Sequence, residues 1–247
     1  MIKLLDILKE TQILTPRRSP EKRQENYLIA TQKKIQQYIK DGSKDYLDLS
    51  DTPIQSLPDN LVVGGSLYLR NTPIKELPNG LKVEGNLNLS GTPIQSLPDD
   101  LTVRGNLNLE GCTSLKSLPN GLKVRGNLNL RDTPIQSLPN NLKVVEGNLN
   151  LSGTPIQSLP DNLKVVEGGL DLTVCTSLKS LPNGLTVKDN LYLIGCTSLE
   201  SLPNGLKVGG SLYLYDTPIQ SLPDDLKVGG NLNLHNTPLS KKYTKEQ

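Results

Sequence analysis

Phenylalanine and tryptophan are absent from this chain of 247 residues, and methionine and histidine occur once each. A core restricted to Leu, Ile and Val suits a stack of near-identical layers better than a globule packed from mixed shapes. No run approaches the roughly 18 consecutive apolar residues that span a bilayer, so no membrane insertion is expected. Asp6, Lys9 and Glu10 interrupt the only apolar stretch near the start, which argues against a signal peptide and for a cytoplasmic or virion-associated location. The three cysteines, Cys112, Cys175 and Cys196, are odd in number and too few for a disulfide framework. Formal charge is only +2, too small to imply a polyanionic partner such as nucleic acid.

What is there is repetition. Slid against itself by 20 or 21 residues, the sequence yields nine full copies of one block. They run over 47–66, 67–86, 87–106, 107–127, 128–148, 149–169, 170–190, 191–211 and 212–231, with a partial copy at 232–240. A period of this size signals a solenoid, in which each unit buries its apolar face only by stacking on its neighbours. Within the block LNLSGTPIQSLPDDLTVRGN (87–106), the alternation Leu101, Val103, Gly105, Leu107, Leu109 has period two and reads as extended chain. Pro98 followed by two Asp is turn chemistry, as is Pro-Asn-Gly in other copies. With Pro, Gly and Asn so frequent, the period leaves no room for a ten-residue helix. Each coil is expected to be a short parallel strand, a corner, an extended return and a Pro turn.

Residues 1–46 are different and form an N-terminal helical cap or docking segment. Met1–Gln12 holds a short amphipathic pattern, ended by the Pro-rich 15–20 stretch. Ser19 is placed as an N-cap with Pro20 at the first helical position. Tyr27, Leu28, Ala30, Thr31, Ile35, Tyr38 and Ile39 follow at mainly helical spacings, and Asp41-Gly42 ends the helix. This segment has ten Lys/Arg against six Asp/Glu, a net +4 out of a total of +2, so the rest of the chain carries −2. The tail 241–247 is too short to be expected to cap the last coil.

The pattern Leu-x-Leu-x-x-[Thr/Cys]…Leu-Pro-x-x-Leu resembles the leucine-rich repeat, in a short form without convex helices. The wording LxLxxTPIxSLPxxLxVxGN is most similar to bacterial and phage-encoded repeats, and the Cys-bearing copies, such as LNLEGCTSLKSLPNGL (107–122), resemble those of plant resistance receptors. The resemblance covers about 47–240. It implies a mainly β solenoid of short parallel strands that binds macromolecules on its concave strand face.

Several columns of the repeat could carry chemistry. Thr52, Thr72, Thr92, Thr133, Thr154, Thr217 and Thr237 occupy one position, replaced by the three cysteines in the other copies. The resemblance gives this column an inward side chain that satisfies loop backbone, with Cys as a small buried substitute. A metal pair at Cys175 and Cys196 would lack further ligands. His235, the lone histidine, has no nucleophile or second base beside it in the pattern, so no catalytic triad can be drawn. Asp pairs after Leu-Pro, such as Asp99-Asp100 and Asp224-Asp225, are turn formers, and no calcium-binding GGxGxD motif occurs. The lysine column (Lys82, Lys123, Lys143, Lys164, Lys207, Lys227) reads as a solvated face. No cofactor and no metal are expected.

The informative columns are those the repeat leaves variable. The residue between the two strand leucines reads Asp48, Tyr68, Asn88, Asn108, Asn129, Asn150, Asp171, Tyr192, Tyr213, Asn233 down the stack. The residue after the second leucine reads Ser50, Arg70, Ser90, Glu110, Arg131, Ser152, Thr173, Ile194, Tyr215, His235. Tyr192, Ile194, Tyr213, Tyr215 and His235 therefore cluster in three successive copies, with Tyr68 and Arg70 as a second, smaller group. Tyr and Arg are the residues that most often carry interface energy. The expectation is a non-enzymatic module that binds a protein, or alternatively a glycan, on this face. The rival expectation is a structural component of a phage particle or other assembly, docked through 1–46, with self-association through the solenoid ends. The extra residue in 107–127, 170–190 and 191–211 (Cys-Thr-Ser for Thr-Pro) reads as a corner insertion. Val144-Val145-Glu146 and Val165-Val166-Glu167 read as bulges that bend the stack.

Overall fold

A computed structural model describes residues 19–240. Its first element, α1 (Pro20–Lys40), begins as its sequence dictates: the Ser19 hydroxyl accepts the Lys22 amide proton at 3.3 Å, with Pro20 in the first turn. Gly42, at φ +85°, closes it. One stripe of α1 meets the first coil. Thr31 and Ile35 are buried, and Leu28 and Tyr38 pack against the core. Tyr27 and Ile39, expected on the same stripe, instead stay about half exposed, because the contact with one small coil is narrower than their spread around the helix. The helix also finishes the sheet edge. Lys34 Nζ donates to the Asp48 carbonyl, and the Tyr38 hydroxyl donates to the carbonyls of Ser43 and Asp45 at 2.9 and 2.7 Å. The expected helix in Met1–Gln12, and the tail 241–247, lie outside the described residues.

The rest is a parallel β-solenoid of about nine turns. Each turn contributes one strand to a long sheet: β1 (Leu47–Asp48), β3 (Leu67–Tyr68), β5 (Leu87–Asn88), β7 (Leu107–Asn108), β9 (Leu128–Asn129), β11 (Leu149–Asn150), β13 (Leu170–Asp171), β15 (Leu191–Tyr192), β17 (Leu212–Tyr213) and β19 (Leu232–Asn233). These ten pair in that order, all parallel, leucine opposite leucine. The extended return of each coil forms a second strand, whose Val faces inward. β2 (Val62–Val63), β4 (Lys82–Val83), β6 (Thr102–Val103) and β8 (Lys123–Val124) make one sheet. β10 (Val144–Val145), β12 (Val165–Val166), β14 (Thr186–Val187), β16 (Lys207–Val208) and β18 (Lys227–Val228) make another. Strands of two residues would not persist alone. They do so here because every coil buries its Leu and Ile columns between its neighbours, in one continuous core from Ile35 to Ile219.

Two columns lock coil to coil. The glycine before eight of the ten long-sheet strands allows close backbone approach: a Cβ on Gly105 would stand 2.8 Å from the carbonyl carbon of Gly85. The residue after it bridges coils. Asn106 donates its amide proton to Asn86 Oδ1, Asn127 to Asn106 Oδ1, and Asn148 to Asn127 Oδ1, at 2.7–2.8 Å. The Ser66 and Ser211 hydroxyls accept the Asn86 and Asn231 amide protons in the same way, at 3.0 Å. Sequence reading missed this ladder.

The second sheet is interrupted between β8 and β10, and the bulges expected at 144–146 and 165–167 are instead regular strands, Val144 opposite Val165 and Val145 opposite Val166. In coil four (107–127) the extra residue precedes the Leu-Pro turn; in coil five (128–148) it follows. The segments between run out of phase by one residue. Elsewhere one or two amides of each return strand bond to the coil before, as Lys164 does to Lys143 O at 3.0 Å and Glu167 to Val145 O at 2.9 Å. Across the seam no such pair forms, and a cleft of about 340 Å³ opens, lined in part by Leu118, Leu122, Val124, Leu142 and Val144. Leu122, Val124 and Leu142 are only partly buried there, unlike Leu101, Val103 and Leu163. The amide protons of Lys143 and Glu146 should therefore exchange with solvent far faster than those of Lys164 and Glu167, as residue-resolved hydrogen exchange will measure.

Candidate functional site

The outward side of the long sheet carries the two variable columns. Its polar middle is not as free as the sequence suggests. Wherever Asp or Asn stands between the strand leucines, its Oδ1 accepts the amide proton two residues on. Ser90 donates to Asn88 at 2.9 Å, Glu110 to Asn108 at 3.0 Å, Arg131 to Asn129 at 3.1 Å, Ser152 to Asn150 at 2.9 Å and Thr173 to Asp171 at 2.9 Å. Ser50 and His235 do the same to Asp48 and Asn233. That amide bond also holds the Asp48 carboxyl below its ordinary value. Asx at this position is thus a structural solution used in seven coils. Tyr68, Tyr192 and Tyr213 give it up, since a phenol ring offers no acceptor at that place.

Tyr192 and Tyr213 instead meet each other. Tyr192 and Tyr213 pair directly across β15 and β17, and their rings stack with centroids 4.8 Å apart and planes within 5°. Tyr215 and His235, one column over, meet edge to face at 5.0 Å and 69°. Ile194 lies between them on β15's coil, partly exposed. The five expected residues are brought together on three adjacent coils. Tyr68 and Arg70 are not part of that group: six strand spacings, roughly 30 Å, separate β3 from β15. Tyr68 has its own neighbour in Tyr46, edge to face at 6.3 Å.

Val174 belongs to the C-terminal group and escaped sequence reading. It occupies the corner column that is otherwise Asp51, Asn71, Gly91, Gly111, Asp132, Gly153, Gly195, Asp216 and Asn236, all at positive φ. Val174 adopts φ +59° and is 55% exposed, a β-branched residue in the left-handed region with nothing to bury it. Its amide is held by the Ile194 carbonyl at 2.7 Å. Such a conformation costs about 1–2 kcal/mol relative to glycine-compatible residues. Its presence in a column of Gly, Asn and Asp was the signal available.

Behind the face, the threonine column does what was expected. Each hydroxyl donates to the carbonyl three residues earlier, as Thr92 to Leu89 at 2.7 Å and Thr217 to Leu214 at 2.7 Å. The cysteines differ in partner. Cys112, Cys175 and Cys196 donate to Leu89, Leu151 and Leu172 carbonyls of the preceding coil at 3.0–3.1 Å. All three are buried, and burial pushes their thiols up, Cys196 to about 12. Among the described residues no three His, Cys, Asp or Glu side chains stand where they would hold a metal ion, and no helix is long and apolar enough to cross a membrane.

No family model matches the chain, and no curated protein matches it. Function must be argued from this face itself.

Two predictions follow the geometry. In the folded state Cys196 keeps its proton up to about pH 12, while an unfolded chain loses it above its ordinary value of 9.0. The folded state then binds more protons, so stability falls as pH rises from 9 toward 12, by up to about 1.4 kcal/mol per pH unit for this group. Urea titrations across that range should show a shallower fall for Cys196→Ser. Val174→Gly should raise stability by about 1 kcal/mol by relieving the left-handed strain, again read by urea unfolding.

Proposed function

We propose that the chain is a non-enzymatic binding module of the leucine-rich-repeat type, with the long sheet as its concave recognition face and the Tyr192–Tyr213–Tyr215 group as its anchor. The observation that carries this reading is where the chain departs from its own structural solutions. Coils seven to nine replace an acceptor Asx with Tyr twice and a glycine-compatible corner with Val once, each at a cost in local stability, and all three exchanges put apolar surface on one patch. Strain and lost hydrogen bonds held at one place are the mark of a site kept for use. Large aromatic residues at the centre of a patch carry most binding energy in known interfaces. A protein partner fits better than a glycan. The two stacked rings cover one face of each other, so each keeps only its outer face for a partner's side chain.

The second reading rests on α1. Tyr27, Ile29, Ile39 and Tyr46 are 42–66% exposed on and just after the helix, an apolar surface through which the chain would dock into a larger assembly.

The two readings separate in one experiment. Replace Tyr192 and Tyr213 by Asn, the residue this column otherwise uses, and titrate each variant against the protein that co-purifies with the native chain. The recognition-face reading expects each substitution to weaken binding by roughly 30-fold or more, as hot-spot residues do. Undiminished affinity in these folded variants, with loss on Tyr27→Ser and Ile39→Ser, would instead establish docking through the helix.

A further inference from the structure

The C-terminal end of the long sheet is aromatic and acidic, with no cation. Over coils seven to ten the two variable columns and the corner column hold no Lys or Arg, and their only charged residues are Asp171 and Asp216. Elsewhere on the same side Arg70 and Arg131 appear, the latter 3.9 Å from Glu110. Those earlier coils also hold Asp48, Asp51, Glu110 and Asp132, so what sets the C-terminal end apart is that its carboxylates have no Lys or Arg among them.

Asp171 is placed to act with Tyr192. The two are direct partners across β13 and β15. Tyr213 covers one face of the Tyr192 ring, with centroids at the strand spacing, so the opposite face looks along the stack toward Asp171. One carboxylate oxygen, Oδ1, accepts the Thr173 amide proton at 2.9 Å, the task Asn performs in other coils. The structural task needs only an amide oxygen. The negative charge and the second oxygen, Oδ2, are surplus to it, and they lie next to a half-exposed phenol ring. An open aromatic face with a carboxylate beside it recognises a cation, and a planar guanidinium matches both: it stacks on the ring while its N–H groups donate to the carboxylate.

We propose that this end of the sheet receives an arginine side chain from a basic segment of a partner protein, seated on the open face of Tyr192 and paired with Asp171. This rests on the reading of the long sheet as the recognition face and adds to it the charge and residue type of what is recognised. Asp216, on the far side of Tyr215 with one oxygen taken by the Asn236 amide, supplies attraction for a second cation along the same segment.

The test uses short peptides as probes: acetyl-Gly-Arg-Gly-Arg-Gly-amide, its Lys counterpart and its Glu counterpart, titrated into the full chain in the millimolar range while the ring signals of Tyr192 and Tyr213 are followed by NMR. The Arg peptide should bind, the Lys peptide more weakly, and the Glu peptide not at all. Tyr192→Asn should weaken the Arg peptide about three- to thirtyfold. Asp171→Asn, which keeps the acceptor for Thr173 and so the fold, should weaken it about two- to fivefold and flatten its salt dependence. No ring shift with the Arg peptide, equal binding of the Glu peptide, or indifference to Asp171→Asn would each overturn the proposal. The two readings fail separately: a co-purifying partner that is lost on Tyr192→Asn but unaffected by Asp171→Asn leaves the recognition face standing and removes the arginine.

Discussion

Parallel hydrogen bonding from coil to coil is the constraint on which the rest of this molecule depends. It fixes neighbouring backbones about 4.8 Å apart, and most of the composition answers to that spacing. Glycine precedes most long-sheet strands because at Gly85, Gly105 and Gly126 a Cβ would come within 3 Å of the previous coil's backbone. Large aromatic rings have no place inside, since each layer admits the same Leu, Ile and Val set as the one below. The Asn86–Asn106–Asn127–Asn148 ladder exists because an amide side chain at that corner reaches just one coil onward. The 4.8 Å stack of Tyr192 on Tyr213 is the same spacing expressed on the surface.

The constraint also explains where the molecule is weak. A solenoid tolerates an extra residue if neighbours share its phase, as coils five and six do through Val144–Val165 and Val145–Val166. It loses a rung when an insertion before the turn meets one after it. Coil four meeting coil five is that case, while the reverse transition, from coil six to coil seven, keeps Val165 opposite Thr186. The long sheet runs through the seam unbroken, with Leu107 paired to Leu128. The long sheet is thus insulated from the phase error on the other side.

Much of the architecture was legible because repetition performs its own comparison. Ten copies expose which positions never change, and Leu, Thr and the Leu-Pro turn fell into place directly. Ser19 and Gly42 marked the helix ends through local chemistry alone. What stayed hidden was relational. Asn106 drew no assignment because its partner is 20 positions away, and Asn88 looked free because an exposed side chain gave no hint of the Ser90 amide it serves. The seam depends on the phase of two coils at once and cannot be read from either. Val174 was visible as a misfit, but its meaning required knowing that the column lies at positive φ.

That distinction between serving and free positions changes how the surface is weighed. If Asn88 and its equivalents were indifferent, a tyrosine there would cost nothing and drift would explain it. Because Asx is structurally useful in seven coils, each tyrosine gives up a local hydrogen bond, a contribution of roughly 1 kcal/mol. Tyr68 does so alone near α1, where Tyr46 gives it an edge-to-face contact in return. Tyr192 and Tyr213 recover part of the loss by stacking. Val174 recovers none: it is exposed, strained and without a covering residue. Packing within the chain therefore accounts for the tyrosines in part and for Val174 not at all. The surface that would cover Val174, Ile194 and the open face of Tyr192 together is one the described residues do not supply.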